Sequence, residues 1–355
     1  MELVQKTTEI KLTNNSGLDQ LDWDNLPFGK VFSDHMFSMR YENGEWQQPR
    51  IIPFQDIKMS PATSVLHYGQ SCFEGMKANK NKKGEILLFR PYDNAKRFNA
   101  SAERMCMPSI PEDVFVNQIK KLLDIDREWI PMKDDYSLYI RPFVFATDPY
   151  VGVKPSETYE FIVFTCPVGA YYQDSVPVKI ETEFTRAADG GTGYAKAAGN
   201  YAAALYPAKL AEKDGFQQLI WTDAKEHKYI EEAGTMNVMF VIGDTVLTPK
   251  SSDTILDGIT RKSVVDIAKD WGMKVEERKI AVTEIIEAFE KGTIKEAFGA
   301  GTAATIAPIK SISFQDVNYE LPEPNSESFS SKVLTYIDSY KRGEVEDKFN
   351  WIEKV

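Results

Sequence analysis

The chain has 355 residues, 43% hydrophobic and 27% charged, with 42 basic against 53 acidic side chains and a net charge of −11. These proportions suit a globular enzyme of two domains or one large α/β unit, and the acidic balance disfavours nucleic acid, which is bound by a basic stripe. No apolar run approaches the roughly 18–20 residues of a membrane span, and the opening MELVQKTTEIKL lacks the apolar core of a signal peptide, so a cytoplasmic protein is expected.

Residues 1 to about 25 are polar and are expected to drape over the surface. Glu160–Cys166 (EFIVFTC) reads as a buried strand, being short, apolar and rich in aromatic and β-branched residues. Pro167, Gly169 and Pro177 then punctuate the chain. They predict a linker over 166–178, between a smaller α/β domain at 1–165 and a larger one at 179–355. Gln217–Thr222 predicts a strand. Met236–Ile242 and Thr245–Leu247 flank Gly243-Asp244, a two-residue hairpin signal.

Arg261–Trp271 carries Val264, Val265, Ala268 and Trp271 on one helical face, ended by Gly272. Thr283 is placed to cap a further helix that reaches Lys291, with Gly292 after it. Strands and helices mix without regular βαβ alternation, so the predicted class is α+β in two mixed α/β domains. Three scattered cysteines (Cys72, Cys106, Cys166) form no CxxC pair and suit a reducing compartment. The three histidines (His35, His67, His227) lack metal-ligand spacing, and no metal site is expected.

One lysine stands out. Lys196 lies in Gly190–Tyr201, GGTGYAKAAGNY, among small residues that let backbone and a flat ligand approach closely. A tight turn with a solvated lysine is the commoner use of such a segment. A lysine crowded in this way could instead attack a carbonyl, and the simplest use is a Schiff base with pyridoxal phosphate (PLP). Ala195 and Ala197 stand where a phosphate-binding P-loop needs Gly and Ser/Thr.

Three segments follow in order: Ile230–Asn237 (IEEAGTMN), Leu256–Arg261 (LDGITR) and Phe298–Thr305 (FGAGTAAT). Nearer the start stand Phe28–Met36 (FGKVFSDHM), His67–Lys77 (HYGQSCFEGMK) and Leu138–Pro142 (LYIRP). From about Phe28 to about Pro322 the chain resembles the branched-chain amino acid aminotransferases, fold-type IV PLP enzymes. The resemblance implies two domains with the cofactor in the cleft between them, a homodimer, and exchange of amino groups between branched-chain amino acids and 2-oxoglutarate. FGKVFSDHM and LYIRP argue against two relatives of the same fold type, D-amino acid transaminases and aminodeoxychorismate lyases. The set of Lys196, Glu232 and Tyr201 argues against a PLP-binding regulator without turnover.

Each residue has an expected place. Lys196 is the catalytic lysine. Glu232 is chosen to keep the pyridine nitrogen protonated, with its neighbour Glu231 expected to be exposed. Gly258, Ile259 and Thr260 lead into a helix whose N-terminus suits a phosphate, although Thr260 also reads as a plain N-cap. Gly299-Ala300-Gly301-Thr302 is a second anion nest, with the Thr302 hydroxyl. By resemblance Arg97 pairs with the phosphate, though by itself it reads as a helix-surface arginine. Tyr201 bonds the ring oxygen. The resemblance gives the substrate carboxylate to the Tyr68 hydroxyl and to the N–H groups of Thr235 and Ala303. It gives the apolar wall to Phe73, Tyr139 and Met236, and a loop that closes the neighbouring subunit's pocket to Val151 and Val153. Arg141 is a plausible partner for the second carboxylate of glutamate, the alternative being a structural buttress for Tyr68. Some relatives carry a CxxC pair after the last motif. Ala304 and Ala307 stand there instead, which excludes a thiol switch at this site.

Overall fold

The computed structural model describes residues 6–169 and 175–355. They group into two units: 6–169 with Ala195–Ala198 and Ser339–Val355, and 175–194 with Gly199–Asp338. This differs from the expected division at three points. Cys166–Val168 finish the strand Tyr159–Val168, and Pro177 lies inside the strand Val176–Ile180, so both ends of the expected linker are sheet. Its residues 170–174 lie outside the described residues. Pro177 is tolerated because the register shifts beside it. The Lys196 segment groups with the first unit and not with the larger one, and 339–355 return to the first as well.

The first unit is built on one mixed sheet. Its strands run Glu9–Ile10, Arg50–Pro53, His35–Glu42, Tyr159–Val168, Ser137–Ala146, Met76–Lys80, Ile86–Phe89 and Ile352–Lys354. The N-terminal stretch does not merely drape, since Glu9 and Ile10 pair with Arg50 and Ile51. Ser137–Ala146 and Tyr159–Val168 pair along their whole lengths, the fate of two apolar runs buried on both faces. Helix Pro91–Arg104 starts with proline at its first turn, where the missing N–H costs nothing. It buries Ala95, Phe98 and Ala102 on one face. Phe98 meets Phe115 of helix Glu112–Ile125 at 5.3 Å and Phe161 of the sheet at 5.4 Å. Cutting Phe98 back to alanine would leave a cavity worth about 3–5 kcal/mol.

In the second unit, strands Tyr229–Ala233, Met236–Ile242, Ile294–Gly301, Thr305–Phe314, Val176–Ile180 and Gln218–Thr222 pair in a closed ring. The Gly243-Asp244 hairpin forms as expected between Met236–Ile242 and Thr245–Thr248, with Gly243 at φ +56°. The expected helix at Arg261–Trp271 runs Ile259–Asp270, and Gly272 follows at φ +75°. The next helix spans Val282–Glu290 with Ala281 at its N-cap, so Thr283 sits inside the first turn and does not cap it. The preceding strand Ile280–Ala281 pairs with Tyr229–Ile230 and carries the chain straight into the helix.

Candidate active site

The first unit holds Lys196 by its backbone on both sides. The Lys196 N–H donates to the Ser101 hydroxyl at 2.9 Å, and its carbonyl accepts from the Phe73 N–H at 3.0 Å. Ala197 bridges to Cys72. The lysine therefore extends a strand edge instead of riding a turn, and its Nζ lies 4.9 Å from the Phe73 ring centre.

Arg141 crosses the same ring at 4.5 Å, a stacking geometry that favours guanidinium. It donates to the Tyr139 hydroxyl at 3.0 Å, while its Nε is buried without a partner among the described residues. Tyr139 and Arg141 share one face of their strand because side chains alternate. Gly75 makes room, since a Cβ there would fall 2.2 Å from the Tyr139 oxygen. Phe73, Tyr139, Arg141 and Lys196 thus form one group. Tyr68, Val151 and Val153 are exposed, Val153 by 90%.

Arg97 is no helix-surface arginine. Its Nε and Nη2 grip Glu74 at 2.7 and 2.9 Å, and Glu74 is fully buried. Burial would push the Glu74 carboxyl up, but Arg97, Lys196 and an Asn94 amide at 2.8 Å outweigh it and hold the group below the usual carboxylate range. One turn after Arg97, Ser101 donates back to the Arg97 carbonyl at 2.9 Å. The serine that fixes Lys196 is thereby fixed itself. Glu74, Asn94 and Ser101 were not expected from the sequence. Glu74 stands in the FEG run quoted above, but nothing local marks it as a buried counter-ion.

The second unit assembles its own group around Glu232. This residue pairs with Asn237 across the hairpin, whose turn needs Gly234 at φ +58°. The Asn237 amide donates to Glu232 Oε1 at 3.1 Å and to the Leu256 carbonyl at 2.9 Å, and the Leu256 N–H reaches Oε1 at 2.8 Å. IEEAGTMN and LDGITR are therefore bolted together by Asn237, another residue not expected. A Cβ on Gly258 would strike the Asn237 amide oxygen at 1.7 Å, so only glycine fits there.

Gly258 is the N-cap of helix Ile259–Asp270 and makes no side-chain cap. Thr260 is the second residue of the helix and buried, so the plain N-cap reading of Thr260 is corrected. The first backbone N–H groups of the helix point out of its end. Thr302 and Ala303 lie in the turn after Ile294–Gly301. Glycines 299 and 301 leave space for buried Met236, whose side chain would lie 2.6 and 2.9 Å from a Cβ at those places. Thr235 is in the exposed hairpin turn. Tyr201 is half-buried in the first turn of helix Ala198–Lys213.

Glu231 corrects an expectation. It is 6% exposed, as deeply buried as Glu232 at 4%. Alternation along the strand does turn its side chain to the other face, but Thr254 covers that face and donates its hydroxyl to Glu231. Burial pushes the Glu231 carboxyl up, and the Thr254 hydrogen bond and then the nearby Arg186 oppose this only in part.

Residues 71–312 match the amino-transferase class IV family. Branched-chain-amino-acid aminotransferase 2 of Bacillus subtilis (strain 168) is 44% identical, across 99% of this chain and 98% of its own length. Branched-chain-amino-acid transaminase 1 of the same strain is 41% identical, across 94% and 95%. The solved branched-chain amino acid aminotransferase of Escherichia coli superposes with a TM-score of 0.75 at 26% identity, over 90% of this chain and 98% of that one. By family match and kinship alike, the chain belongs to the class IV aminotransferases, the fold-type IV PLP-dependent enzymes, and within them to the branched-chain-amino-acid transaminases.

Proposed function

We propose that the chain moves the amino group of L-leucine, L-isoleucine or L-valine to 2-oxoglutarate in two half-reactions, giving the branched 2-oxo acid and L-glutamate. The observation that carries this reading is the placement of Lys196. Its backbone is fixed from both sides while its amine lies 4.9 Å from the Phe73 ring centre, a ring that Arg141 also meets. The donors around Glu232 and at the start of helix Ile259–Asp270 fit PLP. A buried carboxylate surrounded by donors suits a pyridinium, and an uncapped helix start suits a phosphate. Bound PLP supplies an aldehyde that takes the amino group and a ring that draws charge from Cα.

The chain's own residues do the rest. The Lys196 amine would hold bound PLP between turnovers and, when free, would take the proton from the substrate Cα as base and return it as acid. Glu232 holds the proton on the ring nitrogen. Gly258, Ile259 and Thr260, with Thr302 and Arg97, bind the phosphate, and Tyr201 donates to the ring oxygen. Tyr68, Thr235 and Ala303 take the substrate carboxylate. Phe73, Tyr139 and Met236 form the apolar wall and exclude water. Arg141 meets the second carboxylate of glutamate and 2-oxoglutarate.

The working form is a homodimer in the cytoplasm, in which the exposed Val151 and Val153 close a neighbouring copy's pocket. The aminotransferase of T.th., 25% identical to this chain, was solved with pyridoxamine 5′-phosphate, which supports the cofactor. Borohydride reduction followed by peptide mapping tests the reading. A pyridoxyl group on Lys196, with glutamate formed from leucine and 2-oxoglutarate, is the expected result. Label on another lysine overturns it.

A further inference from the structure

Arg186 has no part in the reading above, yet its guanidinium pairs with Glu232. Its Nη2 lies 2.8 Å from Glu232 Oε2, with the two side chains only 9% and 5% exposed. The same nitrogen donates to the Gly193 carbonyl at 3.1 Å and to the Thr254 carbonyl. One guanidinium thus ties Glu232 both to the glycine run that leads to Lys196 and to the loop that leads to the Leu256–Thr260 segment. Gly193 itself is packed so closely that a Cβ would lie 2.6–2.8 Å from Ala187, Thr254 and Asp253. That anchor point therefore has no room for a side chain.

Every partner of Glu232 named so far is a donor: the Asn237 amide, the Leu256 N–H and Arg186. A carboxylate among donors is in its ionised, acceptor-only form. This bears on the proton that Glu232 shares with the ring nitrogen. In a buried site that proton has two resting places. It can sit on nitrogen, leaving a carboxylate and a pyridinium, or on Glu232, leaving two neutral groups. Burial favours the neutral pair, whereas a guanidinium against the carboxylate favours the charged one. Only the protonated ring is the strong electron sink.

We propose that Arg186 is a positioning residue that keeps Glu232 ionised and correctly aimed, so that the shared proton stays on the ring nitrogen. The inference rests on the assignment of Glu232 as the nitrogen's partner. A second buried carboxylate, Glu231, lies within electrostatic reach of Arg186 and Glu232. Arg186 thus serves two acidic groups, and its loss removes the cation that offsets both. Its Nε is buried without a partner among the described residues; lysine keeps the charge with fewer donors and so can replace part of its action.

The test uses holoenzyme loaded with PLP labelled with 15N at the ring nitrogen, in the parent, Arg186→Met, Arg186→Lys and Glu232→Gln. The 15N shift reports ring protonation independently of turnover. The parent should give a pyridinium signal. R186M should move towards neutral pyridine and slow the leucine half-reaction by roughly 10–150-fold, the range for loss of a charged hydrogen bond. R186K should recover much of both. Should R186M slow the reaction while the pyridinium signal persists, or should R186M and R186K be equally impaired with that signal intact, Arg186 is a structural brace and the proposal fails. If R186M does not fold, R186K alone decides: an unchanged shift with a lost rate overturns the proposal. A pyridinium signal unchanged in Glu232→Gln overturns the parent assignment instead.

Discussion

Replacing Arg141 with methionine should separate the two half-reactions. One pocket must accept the isobutyl group of leucine and, in the return step, the carboxylate of glutamate, which apolar walls alone would reject. The Arg141 guanidinium lies over Phe73 at 4.5 Å, holds Tyr139 by one hydrogen bond at 3.0 Å, and keeps a buried Nε with no partner among the described residues. Methionine fills much of the same volume, so the wall against leucine survives. Losing a hydrogen bond to a charged group is worth about 1.5–3 kcal/mol, or roughly 10–150-fold. Losing the stacking costs both halves alike, at about 0.5–1 kcal/mol. Stopped-flow single turnovers with L-glutamate and with L-leucine should therefore show the first slowed roughly 10–150-fold and the second by less than about 6-fold. Equal losses in both would refute the reasoning and make Arg141 a support for Tyr139 alone.

Lys196→Ala should abolish turnover and covalent attachment while PLP still binds through its phosphate contacts, as equilibrium dialysis would reveal. Leucine, isoleucine and valine differ by a methylene or by branching, so their kcat/KM values should fall within roughly 200-fold of one another; strict use of one donor contradicts that. Gly75→Ala drives a Cβ into the Tyr139 hydroxyl and should lower stability by about 1–3 kcal/mol, read as a reduced thermal midpoint together with a lost glutamate preference. Glu231 has a folded-state pKa raised first by burial. Its charge therefore opposes folding increasingly as pH climbs from the ordinary carboxylate value through the raised one, and then levels off. Glu231→Gln should raise the thermal midpoint at pH 8 relative to the parent, with the gap closing towards pH 4; a gap independent of pH would contradict the linkage.

Much of the site was legible because its chemistry is written in local strings. Glu232, Gly258–Thr260 and Thr302 stand beside glycines whose purpose the structure makes concrete: each small residue admits a named neighbour, such as Asn237 at Gly258 or Met236 at Gly299. The hairpin at Gly243-Asp244 was legible for the same reason, since two residues set its turn. What escaped was non-local. Arg97 reads as a surface arginine until Glu74, far off in sequence, is folded beneath it. Glu231 reads as exposed until the loop carrying Thr254 is laid over it. Alternation along a strand marks two faces, but only the rest of the chain decides whether both are covered. The unit boundaries escaped likewise, because Ile352–Lys354 finds its partner at Leu87–Phe89, a pairing no window of sequence displays.

That last pairing has a consequence for how the protein is made. The first unit is assembled from three separated stretches, 6–169, Ala195–Ala198 and Ser339–Val355. On the ribosome its early strands emerge first, yet the sheet edge at Ile86–Phe89 waits for Ile352–Lys354. Phe89 likewise waits for Trp351, whose ring it meets at 5.5 Å. The second unit, whose residues are all synthesised by Asp338, can be complete while the first still shows an open strand. Nascent chains halted before Trp351 should therefore expose an unpaired, apolar edge, the state in which a holding chaperone would find most to grip.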